Sequence, residues 1–192
     1  MRYRLRHGGA RGHALAKAVG LGKGHVPKII DATAGLGRDA FLLASLGAPV
    51  TLIERSGKVH ALLREGLAKA AAAEPDLAVV VARMTLVHGD SRKFLRDMGA
   101  DVIVVDPMHP QRKTLVKQEM RLLRDLVGPD NDALELMQVA LEFSRNRVVL
   151  KWPRYAASIA SLPKPSHQIV GKTVRYDVFM APRSPSVSKR FS

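Results

Sequence analysis

Cysteine is absent from the 192-residue sequence, and no apolar run approaches the length that a membrane-spanning helix needs. Without thiols the chain has no disulfides, no thiolate metal sites and no cysteine nucleophile. The basic start of the chain also lacks the apolar centre of a signal peptide. We therefore predict a cytoplasmic protein that has no membrane partner.

Acidic residues are scarce relative to basic ones: 17 Asp and Glu stand against 31 Lys and Arg, which gives a formal net charge of +14. An excess of this size attracts polyanions, and phosphate contacts supply much of the affinity of proteins for nucleic acids. The excess is greatest at the amino end, where every charged residue before Asp31 is basic. A basic surface kept for solubility is the alternative, but this clustering favours RNA or DNA.

Glycine and proline clusters divide the chain. We predict a basic N-terminal arm with a helix over residues 1–26, one α/β domain over residues 27–181 and a disordered basic tail over residues 182–192. Short apolar runs alternate with helical periodicity in the domain, which predicts a mostly parallel sheet with helices on both faces. The last two runs, 167–171 and 173–180, predict a closing antiparallel hairpin.

Acids end four of the predicted strands, at Asp31, Glu54, Asp90 and Asp106. Ligands of doubly wound sheets lie beyond the carboxyl ends of the strands. We therefore expect these four carboxylates to line a single crevice. The alternative is that each acid only terminates its strand at the surface.

Asp31 also opens a glycine turn, with the sequence DATAGLG. Residues 35–40 match the loose dinucleotide pattern G-x-G-x-x-[GA], and Glu54 stands where a ribose-binding acid belongs. An NAD-binding oxidoreductase is therefore one hypothesis. Asp31 argues against it, because an acid at that point would repel a pyrophosphate. S-adenosylmethionine has a sulfonium and no phosphate, and it suits the same residues better.

The polar groups of S-adenosylmethionine can be shared out among these residues. Gly35 and Gly37 would let the backbone approach the methionine moiety, and Asp31 would face a cationic group. Glu54 would accept hydrogen bonds from the ribose hydroxyls, and Asp90 would accept one from the adenine amine. The other predicted residues of the crevice are Arg38, Asp39, Arg55 and Ser91.

Residues 106–110, DPMHP, follow the fourth strand and resemble the [DNS]-P-P-[FYW] element of methyltransferases that modify an exocyclic amine of a base. Hydrogen bonds from the amine to the Asp106 carboxylate and the Pro107 carbonyl would favour a pyramidal nitrogen and free its lone pair for attack. His109 would stack on the base. A proline-rich strand exit without chemistry is the alternative.

Four segments together resemble the RsmJ (YhiQ) family, bacterial guanine-N2 methyltransferases of the small-subunit (16S) ribosomal RNA that use S-adenosylmethionine. These segments are 30–41, 106–110, 115–121 (LVKQEMR) and 126–130 (LVGPD), and the resemblance extends from about residue 8 to residue 180. It implies a class I methyltransferase fold and cofactor contacts at Arg38, Asp39, Glu54, Arg55, Asp90, Ser91 and Asp106. The sequence is expected to depart from the family in two respects. The family has phenylalanine where this sequence has His109, and its members usually carry a further small N-terminal subdomain that is missing here.

Basic residues near the catalytic loop and at the amino end are predicted to contact RNA phosphates. Lys117, Arg121 and Arg124 are spaced to share one helix face. The full predicted set is Arg2, Arg4, Arg6, Arg11, Lys113, Lys117, Arg121 and Arg124. No H-E-x-x-H or comparable spacing occurs, so no metal is predicted.

Lys151, Trp152 and Tyr155 follow the fifth predicted strand and are candidates for the border of the base pocket. The leading hypothesis is methyl transfer to a guanosine of 16S ribosomal RNA, free or in the small ribosomal subunit. An NAD-binding oxidoreductase and a catalytically silent RNA-binding module with the same fold are the alternatives.

Overall fold

The structure is a computed structural model that describes residues 13–22, 24–107 and 132–181. In these residues the strands are β1 (Ile29–Asp31), β2 (Val50–Glu54), β3 (Met84–His88), β4 (Ala100–Val105), β5 (Ser144–Pro153), β6 (His167–Val170) and β7 (Val174–Met180). The helices are α1 (Ala14–Ala18), α2 (Arg38–Ser45), α3 (Gly57–Ala73), α4 (Pro75–Val81), α5 (Ser91–Met98) and α6 (Ala133–Phe143).

The seven described strands form one sheet in the order β3-β2-β1-β4-β5-β7-β6. Strands β1 to β5 run parallel to one another, and β7 lies antiparallel between β5 and β6. This mixed sheet with a closing hairpin confirms the predicted α/β fold class, a class I methyltransferase sheet. Its carboxyl edge collects the ends of β1 to β5, where ligands of such sheets bind.

Helices cover both faces of the sheet, as its apolar strands require. One apolar cluster joins Ile29 and Val104 of the strands to Leu15 of α1 and Phe41 of α2. The second joins the alternate strand residues to helices α5 and α6, through Leu95 and Met137 among others. Within the described ranges, no helix is long and apolar enough to cross a membrane.

Strand alternation then places the polar residues of the site. Ile29, Leu52, Val104 and Val149 all belong to the cluster that contains α2. Successive side chains point to opposite faces, so residues two positions further along each strand return to the same face. Those residues are Asp31, Glu54, Asp106 and Lys151. The sheet therefore brings three acids and one lysine to the α2 side of its carboxyl edge.

Helix α1 packs on this same core, since Leu15 and Val19 are fully buried in the cluster that contains α2. The predicted division between an arm and a domain at residue 26 stays a prediction. The predicted tail, 182–192, and most of the predicted arm, residues 1–12, lie outside the described residues.

Candidate active site

Asp31 lies at the end of the central strand and is 4% exposed. Its Oδ1 accepts a hydrogen bond of 3.2 Å from Thr33 N, and Thr33 Oγ1 accepts one of 2.7 Å from Asp106 N. Burial raises the pKa of Asp31 to about 7, and the neighbouring charges of Asp39 and Asp106 add to the rise. A cationic ligand group at this point would favour the ionised carboxylate.

The glycine turn that follows β1 needs its glycines for conformation. Gly35 and Gly37 have φ values of 51° and 68°, in the left-handed region that other residues rarely adopt. Gly37 also precedes α2, where a Cβ would lie 2.7 Å from Leu63 Cδ1. The sequence interpretation attributed Gly37 to a close approach of the cofactor, whereas here the neighbour is a core leucine. The contact of either glycine with a cofactor stays a prediction.

Glu54 is 6% exposed at the end of β2, and two backbone N–H groups donate to its carboxylate. Its Oε2 accepts from Gly35 N at 2.9 Å, and its Oε1 accepts from Ser56 N at 2.7 Å. The carboxylate thereby joins the glycine turn to the start of α3. Because each carboxylate oxygen accepts about two hydrogen bonds, Glu54 keeps the capacity to receive a pair of hydroxyls.

Asp90 and Ser91 begin α5, beside the end of β3. Asp90 Oδ1 caps the helix by accepting from Arg92 N at 3.0 Å, and the guanidinium of Arg92 pairs with the same carboxylate. These hydrogen bonds from Arg92 hold the pKa of Asp90 below its usual range. Ser91 Oγ donates to Ala32 O at 2.6 Å, which ties α5 to the turn after β1. The sequence interpretation missed Arg92.

Arg55 belongs to an ion-pair network on this side of the site. Its Nη1 lies 2.7 Å from Asp132 Oδ2, which is also 3.3 Å from Arg92 Nη1. Arg92 pairs in addition with Glu135 of α6. The network therefore joins the ends of β2 and β3 to the start of α6, an arrangement that no contiguous motif could have indicated.

Lys151 bridges two acids on the other side of the site. Its Nζ lies 2.6 Å from Asp39 Oδ2 at the start of α2 and 2.7 Å from Asp106 Oδ2 after β4. Burial alone would lower the pKa of Lys151, but the adjacent Asp106 and Asp39 carboxylates raise it well above its usual range. The lysine is therefore protonated at neutral pH and does not serve as a base.

The remaining predicted site residues divide into two groups. Pro107 is buried directly after Asp106, and Arg38 is the first residue of α2. The other predicted residues, which lie outside the described residues, are His109, Arg2, Arg4, Arg6, Arg11, Lys113, Lys117, Arg121 and Arg124. Among the residues that the structure describes, no group of three or more His, Asp or Glu is arranged to hold a metal ion.

The strand order places Asp90, Glu54, Asp31 and Asp106 one after another along the carboxyl edge, at β3, β2, β1 and β4. A row of carboxylates suits a ligand with a cationic group, a vicinal diol and an amine. It does not suit a pyrophosphate, which would bring further negative charge to the row. The residues therefore fit S-adenosylmethionine, although the individual contacts stay predictions.

The fold and this set of acids define a methyltransferase that depends on S-adenosylmethionine. A family model described as putative SAM-dependent methyltransferase matches residues 1–181. The crystal structure of a SAM-dependent methyltransferase from Neisseria gonorrhoeae superposes with a TM-score of 0.71 at 33% identity, over 91% of this chain and 73% of that one. These matches do not support the NAD-dependent alternative.

Relatives of known name identify the family within this class of methyltransferases. Ribosomal RNA small subunit methyltransferase J of Rhodopseudomonas palustris (strain HaA2) is 66% identical over 94% of this chain and 84% of its own length. The protein of that name from Brucella anthropi is 62% identical over 93% of this chain and 88% of its own length. The chain belongs to the ribosomal RNA small subunit methyltransferase J family, which confirms the resemblance found in the sequence.

Proposed function

We propose that the protein methylates the exocyclic N2 amine of a guanosine in 16S ribosomal RNA, in the cytoplasm, on free RNA or on the small ribosomal subunit. The observation that carries this proposal is the position of Asp106 and Pro107, which follow β4 beside the row of strand-end acids. The family membership supports the reaction class, and the net charge of +14 supports a polyanionic substrate.

S-adenosylmethionine, when bound, supplies a methyl group made electrophilic by the positively charged sulfur. Asp31 and Glu54 are the residues proposed to hold its cationic and ribose parts. Asp90 would receive the adenine amine only if its oxygens still accept a hydrogen bond beside Arg92. The buried carboxyl groups of Asp31 and Glu54 favour a cationic ligand, because an adjacent positive charge stabilises the ionised form of an acid.

Asp106 is proposed to orient the amine that receives the methyl group. Its carboxylate and the Pro107 carbonyl accept the two amine hydrogens, which directs the nitrogen lone pair toward the donor. Lys151 fixes the carboxylate, because its Nζ lies 2.7 Å from Asp106 Oδ2. When the N2–carbon bond forms and the sulfur–carbon bond breaks, N2 loses one proton. Asp106 is the acceptor within reach, and it passes the proton to water, since protonated Lys151 cannot take it.

The direct test is transfer of tritiated methyl groups to small ribosomal subunits and to free 16S RNA from cells that lack this enzyme. We expect one labelled nucleoside, N2-methylguanosine, which digestion and mass spectrometry identify. Subunits from cells that contain the enzyme are the control, since their site is already methylated. Label in another nucleoside, or no label in either substrate, would contradict the proposal.

A further inference from the structure

The segment that follows β5 is held in place by a buried arginine. Arg175 of β7 is 6% exposed, and its Nε lies 3.0 Å from Asp177 Oδ1. Its Nη1 donates to three carbonyls of the segment, those of Pro153, Arg154 and Ala156, at 3.0, 3.0 and 2.8 Å. A guanidinium presents several donors in a fixed plane, so these bonds define one conformation for residues 153–156.

A second hydrogen bond fixes the same segment. Trp152 is 7% exposed, and its Nε1 donates to Ala157 O at 2.8 Å. Burying an ion pair such as Arg175–Asp177 costs desolvation free energy. The Arg175–Asp177 pair nevertheless holds a segment that lies at the surface. Tyr155, at the centre of that segment, is 86% exposed.

Tyr155 is accompanied by a cation. The guanidinium carbon of Arg154 lies 5.1 Å from the centroid of the Tyr155 ring, within the range of a cation–π interaction. Arg154 Nη1 also donates to Gly171 O at 3.3 Å, which connects it to the β6–β7 turn. The ring and the guanidinium are thus arranged together before any ligand arrives.

This pair lies at the edge of the sheet that carries the site. β5 runs parallel to β4, so the segment after β5 opens on the same edge as Asp106. Lys151, which pairs with Asp106, lies four residues before Tyr155 in the sequence. Pro153 pairs with Val174, so the β6–β7 turn with Lys172 lies at this edge as well. Residues 153–173 contain basic residues and no Asp or Glu.

We propose that Tyr155 and Arg154 form a stacking platform for an unpaired nucleotide of the RNA substrate next to the target guanosine. Unpaired bases stack on exposed aromatic rings and on arginine planes, and neighbouring cations contact the phosphates. An ordered ring flanked by cations matches a nucleobase flanked by phosphates. The inference rests on the proposed function, because it assigns part of the surface that would receive that RNA.

The kinetic test compares Tyr155→Ala and Tyr155→Trp with the natural protein in methyl transfer to small subunits. We expect Tyr155→Ala to raise KM for subunits about tenfold, with kcat, the affinity for S-adenosylhomocysteine and Tm unchanged. Tyr155→Trp keeps a stacking surface and should keep KM. Val79→Ala is the matched control, since Val79 is 55% exposed on α4, away from the carboxyl edge.

A fluorescence test reads the contact directly. The indole introduced by Tyr155→Trp is exposed, and stacking on a base of a short unpaired RNA should quench it. The natural protein, with Trp152 buried, should show little quenching with the same RNA. Arg154→Ala should raise KM severalfold, whereas Lys69→Ala, which removes an exposed positive charge at the far end of α3, should not.

The outcomes separate the two proposals. Transfer to subunits by the natural protein, together with an unchanged KM for Tyr155→Ala, would overturn the platform alone. So would a rise in KM matched by an equal loss of affinity for S-adenosylhomocysteine, because it would indicate a structural role. Absence of transfer by the natural protein would instead overturn the proposed function, and the platform with it.

Discussion

At the ends of β1 and β2 the acids accept hydrogen bonds from nearby backbone N–H groups, whereas the acid after β4 is held by a lysine of the neighbouring strand β5. Glu54 accepts from the N–H groups of Gly35 and Ser56, and Asp31 accepts from that of Thr33. Asp106 and Asp39 instead share the ammonium of Lys151. Asp31 and Glu54, which are proposed to hold the cofactor, are thus fixed by turns, whereas Asp106, which is proposed to orient the amine, is fixed by an ion pair.

This difference has a physical consequence for substitutions. A carboxylate bound to backbone N–H groups keeps its place when a neighbouring side chain changes. Two carboxylates that share one ammonium lose their arrangement when that ammonium is removed, because the like charges then repel each other in a partly buried position. Substitutions on the two sides should therefore change different measured quantities.

The largest effect is expected at Asp106. Asp106→Ala removes the proposed acceptor of the amine hydrogens and should lower kcat by about 10²–10³-fold, in line with the loss of one positioned transition-state contact. Tritium transfer to small subunits measures it, with folding checked by Tm. Asp101→Ala is the control, because Asp101 lies at the opposite end of β4 and accepts from Lys28 N. Retained transfer by Asp106→Ala would contradict the assigned role.

Lys151→Met should have the next largest effect. It leaves Asp39 and Asp106 without their shared cation, so we expect kcat to fall about 10–100-fold. Lys151→Arg keeps the charge and should recover part of the activity. An unchanged kcat in Lys151→Met would show that the ion pairs do not govern the chemistry.

Glu54→Gln tests the proposed contact with the ribose of the cofactor. The amide nitrogen of glutamine cannot accept a hydrogen bond, so one of the two backbone N–H groups loses its partner and a diol loses an acceptor. We expect the affinity for S-adenosylhomocysteine to fall about tenfold by calorimetry, a free-energy change of about 1.4 kcal/mol. kcat at saturating donor should change little. Glu65→Gln, on the exposed face of α3, should change neither quantity.

Asp31→Asn is expected to give the smallest effect, on stability. The folded protein holds a proton on Asp31 up to a pKa of about 7, whereas the ordinary value is 3.8. The folded state thus binds more protons than the unfolded state between these values, and ionisation destabilises it as pH rises through that window. Asparagine does not ionise, so Tm of the variant relative to the natural protein should rise by a few degrees from pH 5 to pH 8. A constant difference would contradict the buried-acid interpretation.

The difference between contacts within one turn and contacts between residues remote in sequence explains what the sequence could predict. The turn after β1 is contiguous, so its position and its two glycines could be predicted from the local sequence. Lys151 lies 112 residues from Asp39 and 45 from Asp106, and no local pattern records that they meet. The sequence offered it only as a border of the base pocket.

The fold was predicted for a similar reason. Alternating apolar strands and helices define a parallel sheet, and a short glycine turn defines the closing hairpin. Strand periodicity did not indicate that β7 inserts between β5 and β6. The family resemblance implied a class I methyltransferase fold, and the strand order is a finding of the structure. Arg175 was missed although it lies two residues from Asp177, a spacing that places both on one face of a strand.

The pairing of β5 with β7 sets which side of the sheet the Lys151 ammonium occupies. Lys151 lies opposite Tyr176, and Leu150 lies opposite Asp177. Insertion of a single residue before Lys151 would turn the ammonium toward the α5–α6 side and put an apolar side chain beside Asp106. Length differences among relatives should therefore occur in the turn at 171–173 and in the segment at 157–166. Insertions of an odd number of residues within β5 should abolish methyl transfer.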